Sequence, residues 1–145
     1  MTGHRKLPSS GKLLAVAAAL GGAAVLNAPG FAHHAFASEF DSSKPLVIAG
    51  TVTKARFVNP HSWIYIDVKD ASGKVTNWGF EFGTPSSLRT KGITREQVAS
   101  GTPVRIAGFR AKNGGAFGYA TTLVFKDGHK VETGSAPDAP APPVR

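Results

Sequence analysis

The stretch from Ser62 to Phe82 constrains the fold more than any other part of the chain. Between Ser62 and Lys69, Ile64, Ile66 and Val68 alternate with Trp63, Tyr65 and Asp67, the period of a strand with one buried face. Asp70-Ala71-Ser72-Gly73-Lys74 supplies a turn, and Val75 to Phe82 reads as the returning strand. A three-residue loop with Gly73 in a left-handed conformation sets Ile64 opposite Phe80, Ile66 opposite Trp78 and Val68 opposite Thr76. A two-residue loop instead sets Ile64 opposite Glu81 and buries a carboxylate without a partner. Register follows the face that must stay apolar, so the first pairing is expected. Trp63, Tyr65, Asp67, Asn77, Gly79 and Glu81 then share the outer face.

The rest of the chain continues the pattern. Residues 46–58, rich in Val, Ile, Thr and Phe, read as a long first strand, ended by Asn59-Pro60-His61; Asp41 to Pro45 reads as a turn before it. Pro103 to Ala111 is a fourth strand and Phe117 to Phe125 a fifth. Asp127-Gly128 makes a hairpin turn, with a short sixth strand at Lys130 to Glu132. Pro85 to Ala99 holds the only helix-like stretch, with one turn at Ser86 to Arg89 and another at Arg95 to Ala99. Ile48-Ala49-Gly50 and Ile106-Ala107-Gly108 put glycine inside strands, where it marks sharp bends at barrel corners. Three strands, a short helical insert and two or three further strands predict a mainly all-β fold, a small OB-like barrel of five to six strands. A β-sandwich is the alternative.

The first 32 residues do not belong to that barrel. Arg5, Lys6 and Lys12 lead into the apolar run Leu13 to Leu26, which Asn27-Ala28-Pro29-Gly30 ends. The run is shorter than the roughly 20 apolar residues of a membrane span. It is therefore expected to be a cleavable signal peptide, which leaves no transmembrane anchor and sends the protein to the periplasm or out of the cell. Gly30-Phe31-Ala32 favours cleavage after Ala32; Ala35-Phe36-Ala37 offers the alternative, after Ala37. The expected organisation is a signal at 1–32, a lead-in segment at 33–45 anchored by Phe36 and Phe40, a barrel at 46–132 and a disordered tail at 133–145.

Charge and sulfur chemistry narrow the function. Three of the 17 basic residues precede Ala32, so the remainder carries 14 against nine acids, a net charge of +5. Lys and Arg are scattered rather than clustered, which points to solubility more than to a polyanion; together with export, this argues against a nucleic-acid partner. There is no cysteine, and the single Met is Met1. Disulfides, a thiol nucleophile, zinc-thiolate sites and a Cu(I) site built on soft sulfur ligands are all excluded.

His33-His34-Ala35-Phe36, Glu39-Phe40-Asp41, Asn59-Pro60-His61-Ser62-Trp63, Trp78-Gly79-Phe80-Glu81, Lys91-Gly92-Ile93-Thr94-Arg95 and Gly108-Phe109-Arg110-Ala111-Lys112 occur in that order. Together these motifs resemble a family of short exported bacterial proteins classed as a domain of unknown function, over residues 33 to about 131. The resemblance implies an exported single-domain β protein and supplies no catalytic residues. Ile93 stands where that family leads one to expect an aromatic.

Two site readings follow from the residues. If cleavage leaves His33 at the N-terminus, its α-amine and ring nitrogen can chelate one metal ion. His34 and His61 could complete an all-nitrogen set that suits Cu(II), with Glu39, Asp41 or Glu81 adding an oxygen. The ligand set is similar to the histidine brace of periplasmic copper proteins. The second reading is metal-free: the face of Trp63, Tyr65, Asp67, Asn77 and Glu81 docks a ligand or a protein partner. No serine lies in a nucleophile-elbow context, and nothing in the sequence sets the separation of Asp67 and Glu81 that acid–base work requires. The expected function is thus a small exported binding module, with copper as its possible cofactor and an enzymatic role less favoured.

Overall fold

The structure is a computed structural model, and it describes residues 36–134, 136 and 138–141. The signal peptide expected at 1–32, His33 and His34 lie outside the described residues. The elements run α1 (Phe36–Glu39), β1 (Phe40–Arg56), β2 (Ser62–Lys69), β3 (Val75–Phe82), α2 (Pro85–Thr90), β4 (Pro103–Ala111), β5 (Phe117–Phe125) and β6 (Lys130–Glu132).

The hairpin of β2 and β3 takes the register that its apolar face demands. Ile64 pairs with Phe80, Ile66 with Trp78 and Val68 with Thr76. Asp70 and Gly73 close the loop, with Gly73 at φ +89° and the Asp70 N–H donating to the Lys74 carbonyl at 3.0 Å. The strands then follow the order β3-β2-β1-β4-β5-β6, and β3 also pairs with β5. That last contact is parallel, through Gly79–Phe117, Phe80–Gly118 and Glu81–Tyr119, whereas the other pairings are antiparallel. It closes β1, β2, β3, β5 and β4 into a ring, the OB-like barrel anticipated from strand order. A closed ring rather than two facing sheets rules out the sandwich.

Closure depends on β1, which serves two neighbours. Residues Pro45 to Thr51 pair with β4, and Thr51 onward pairs with β2. Gly50 lies at this change of partner, where an added Cβ would stand 2.5 Å from the Asp67 carbonyl oxygen. Gly108, the glycine of the second Ile-Ala-Gly echo, sits at a bulge between β4 and β5, and its Cβ would fall 1.9 Å from the Tyr119 carbonyl oxygen. Both echoes mark places where two backbones approach too closely for any side chain.

Inside the ring, Ile64, Ile66, Phe80, Phe82, Ile106 and Leu123 are at most 1 % exposed. Each such side chain contributes about 1.5–3 kcal/mol by leaving water. Leu88, Ile93 and Val98 from the insert join the same core, so Ile93 fills its place as an aliphatic. Thr84 caps α2 by accepting from the Ser87 N–H at 3.1 Å, with Pro85 in the first turn. Thr94 and Gln97 bond each other's backbone N–H reciprocally at 3.0 and 3.4 Å, a capping box, although residues 95–98 form turns rather than a helix.

The structure differs from the sequence reading at both ends. Phe36–Glu39 is a helical turn, so the insert is not the only helical stretch, and β1 begins at Phe40 rather than at residue 46. Phe40 pairs with Ala111 and Pro45 with Phe109, leaving four residues of β1 against one of β4. The turn chemistry of Asp41 to Pro45 thus makes a bulge inside a strand: Asp41 Oδ1 accepts from the Ser43 N–H at 3.0 Å and from its hydroxyl at 2.6 Å. Phe36, Phe40, Phe109, Ala111 and Tyr119 form a second apolar cluster. Ala136 and Ala139 of the proline-rich tail pack on it, and the Ala136 N–H donates to the Tyr119 hydroxyl at 2.7 Å. The composition of the tail gives no reason to expect this seating.

Candidate functional site

Because side chains alternate across a strand, the register of β2 and β3 places all five outer-face candidates together. Trp63 pairs with Glu81, Tyr65 with Gly79 and Asp67 with Asn77. The Trp63 and Tyr65 rings stack at 6.3 Å with an interplanar angle of 22°. Gly79 is their floor: a Cβ there would lie 3.1 Å from Tyr65 Cε1 and 3.7 Å from Trp63 Cε3. Both aromatics remain half-buried. The lead-in segment does not seat its own aromatics on them; Phe36 and Phe40 pack against Tyr119, at 5.3 and 5.5 Å. Phe117 links the two groups, 6.4 Å from Trp63 and 6.0 Å from Phe40.

The polar residues of this face divide into two ends. At one end the Asn77 amide donates to Asp67 Oδ1 at 2.8 Å and to the Thr53 hydroxyl at 3.1 Å. At the other end stands Glu81. Asn77, the partner of Asp67, is four residues from Glu81, roughly 13 Å along a strand. Asp67 and Glu81 therefore do not form a carboxylate pair.

Glu81 meets a histidine instead. His61 follows the cis Asn59–Pro60 bond and stands just before β2, with its Nδ1 2.6 Å from Glu81 Oε1. The Glu81 side chain is 10 % exposed and that of His61 23 %. Burial pushes the Glu81 carboxyl up to about 7, and the negative charge of Glu39, at the end of α1, adds to the rise. A carboxyl group bonded to Nδ1 holds the imidazole in one orientation, as the carboxylates behind metal-ligating histidines do. The Glu81 carboxyl can therefore gain or lose its proton near neutral pH.

Of the three oxygen donors anticipated, Glu81 and Glu39 lie close enough to interact electrostatically. Asp41 is engaged elsewhere, bonded to Ser43 and 3.2 Å from Lys44 Nζ, and its pKa is lowered chiefly by the Ser43 hydroxyl. Among the described residues no group of three or more His, Asp or Glu side chains is placed to hold a metal ion. His129, at the last hairpin, is exposed and stacks on Phe125 at 5.9 Å. Sequence reasoning missed Phe117 as a member of the aromatic face. The alternation Phe117, Tyr119 in β5 was visible, but the parallel β3–β5 contact that brings it beside Trp63 has no local signal.

These features define a class: a small OB-like β-barrel carrying a carboxylate-oriented histidine beside half-buried aromatics on the outer face of β2 and β3. The chain belongs to a family of unknown function, DUF6152, which matches residues 22–120. No curated protein matches it.

Proposed function

We propose that this protein is a small exported binding module whose site lies at the mature N-terminus, His61 and the adjoining face of β2 and β3, and that its ligand is Cu(II). The observation that carries this reading is the 2.6 Å bond between His61 Nδ1 and the buried Glu81. It leaves the imidazole held in one orientation, as a metal ligand requires. His34 is two residues before Phe36, and two residues span at most about 7 Å. Phe36 in turn packs on Tyr119, which pairs with Glu81 across the closure. Phe36, two residues after His34 in the sequence, is thereby near the strand that holds Glu81. His33 and His34 would supply the remaining nitrogens, and Glu81 would act behind His61 rather than on the metal.

Intact mass of the protein from its exported fraction, followed by Cu(II) titration, tests the proposal. A chain starting at His33 that binds one Cu(II) more tightly than free histidine does supports it, provided that His61→Ala weakens binding. A chain starting at Ser38, or binding no tighter than free histidine, sinks it. The half-buried Trp63–Tyr65 pair favours a second reading, a metal-free interaction domain. In that case Trp63→Ala abolishes capture of the partner and His61→Ala leaves it intact.

A further inference from the structure

Away from the aromatic face, the outward side of β1, β4 and β5, bordered by β6, carries a groove of about 630 Å3. Its shape follows from the register. Val47 pairs with Ala107 and Ala107 with Thr122, so small side chains form the floor beside Val47, which is 55 % exposed. In the next row, Arg105 pairs with Val124 and Val124 with Lys130, which sets a cation on each side of an apolar side chain. Arg105 and Lys130 are both exposed, and among the described residues neither is in a salt bridge. Glu132, opposite Thr122, is the acid of this face. A smaller groove of about 370 Å3 shares Arg105 and Val124 and runs on to Lys126, so Arg105 stands where the two meet.

We propose that this groove binds a free single-chain amphiphilic anion, a long-chain carboxylate, with its head between Arg105 and Lys130 and its chain over Val47 and Ala107. Charge complementarity selects the head: two unpaired cations flank the groove and repel a cationic group. The apolar floor selects the tail, and the volume lies within the roughly 300–1,000 Å3 typical of small-molecule sites. The site is on a different face from the His61–Glu81 pair, so it stands or falls independently of copper.

Calorimetric titration with dodecanoate below its micellar concentration tests the proposal, with dodecyltrimethylammonium as the matched cation. One dodecanoate should bind per chain, and the cation should not bind. Arg105→Gln should weaken dodecanoate binding by about tenfold or more, the loss of a charge-assisted hydrogen bond. Val47→Asp should abolish it, and because Val47 is outside the core this variant keeps the fold, as circular dichroism would register. Equal binding of both amphiphiles, or affinity unchanged in both variants, overturns the proposal. So does binding to phosphatidylglycerol vesicles without binding of monomeric dodecanoate, which would make the face a membrane contact. A concentration-dependent dimer lost in Val47→Asp, with no dodecanoate bound, would make it a self-association surface and overturns the proposal equally.

Discussion

At the scale of single residues, Glu81 makes stability depend on pH between 4.5 and about 7. Burial, and then the Glu39 charge, raise its carboxyl from 4.5 to about 7. Below pH 4.5 the folded and unfolded chains both hold this proton. Between 4.5 and about 7 the folded chain keeps it while the unfolded chain releases it, so the Glu81 contribution to stability falls as pH rises through that window. Above about 7 the loss is complete. Glu81→Gln retains an oxygen that can accept from His61 Nδ1 and removes the titration. Melting temperatures across pH 4.5 to 8 should therefore decline less steeply in Glu81→Gln than in the parent, and an equally steep decline would place the slope elsewhere. His61 and Glu81 were each legible in the sequence as candidates, but their bond was not. Asn59-Pro60-His61 and Glu81 lie some twenty positions apart, and only the paired strands bring them within 2.6 Å.

At the scale of elements, glycines and the tail decide which strands can meet. A methyl group at Gly108 would stand 1.9 Å from the Tyr119 carbonyl oxygen, and backbone in a sheet yields far less readily than a side chain. Gly108→Ala should cost about 3 kcal/mol or more, at the upper end of overpacking penalties, and urea denaturation should show a lowered midpoint. Gly79→Ala is the contrast: its methyl group meets the Tyr65 ring edge at 3.1 Å, which can move. That variant should lose only about 1 kcal/mol while disturbing tyrosine and tryptophan fluorescence. Thr133 is fully buried, its hydroxyl donating to the Ala120 carbonyl at 3.3 Å and its N–H to the Thr121 carbonyl at 2.8 Å. Ending the chain at Glu132 should consequently lower the melting temperature, which differential scanning calorimetry would register. The bends at Gly50 and Gly108 could be read from the Ile-Ala-Gly echoes because glycine in a strand has few other uses. The tail could not, since its contacts are with residues far away in the chain.

At the scale of the whole molecule, the barrel closes through three residue pairs between β3 and β5, and the proposed copper site borders that closure. A ligand that binds only the folded chain stabilises it by mass action. Under the Cu(II) proposal, copper at a hundredfold excess over its dissociation constant adds about 2.7 kcal/mol, and a strong chelator reverses the gain. A melting temperature unmoved by copper in the His33-start protein would count against the proposal. The second apolar cluster joins α1 to the outer side of β4 and β5, so α1 and the closure are expected to loosen together.

The sequence by itself determined what depends on neighbours: the alternation of β2 and β3, the Gly73 turn with its register, the insert and the strand order that implies a barrel. Each rests on period or turn chemistry within some twenty residues, where few conformations compete. Only the tertiary structure decided the contact of β3 with β5, the reach of β1 back to Phe40, the seating of Ala136 on Tyr119 and the bond of His61 to Glu81. These join segments distant in the chain, and their energy comes from burial and hydrogen bonding that exist only once the ring has closed.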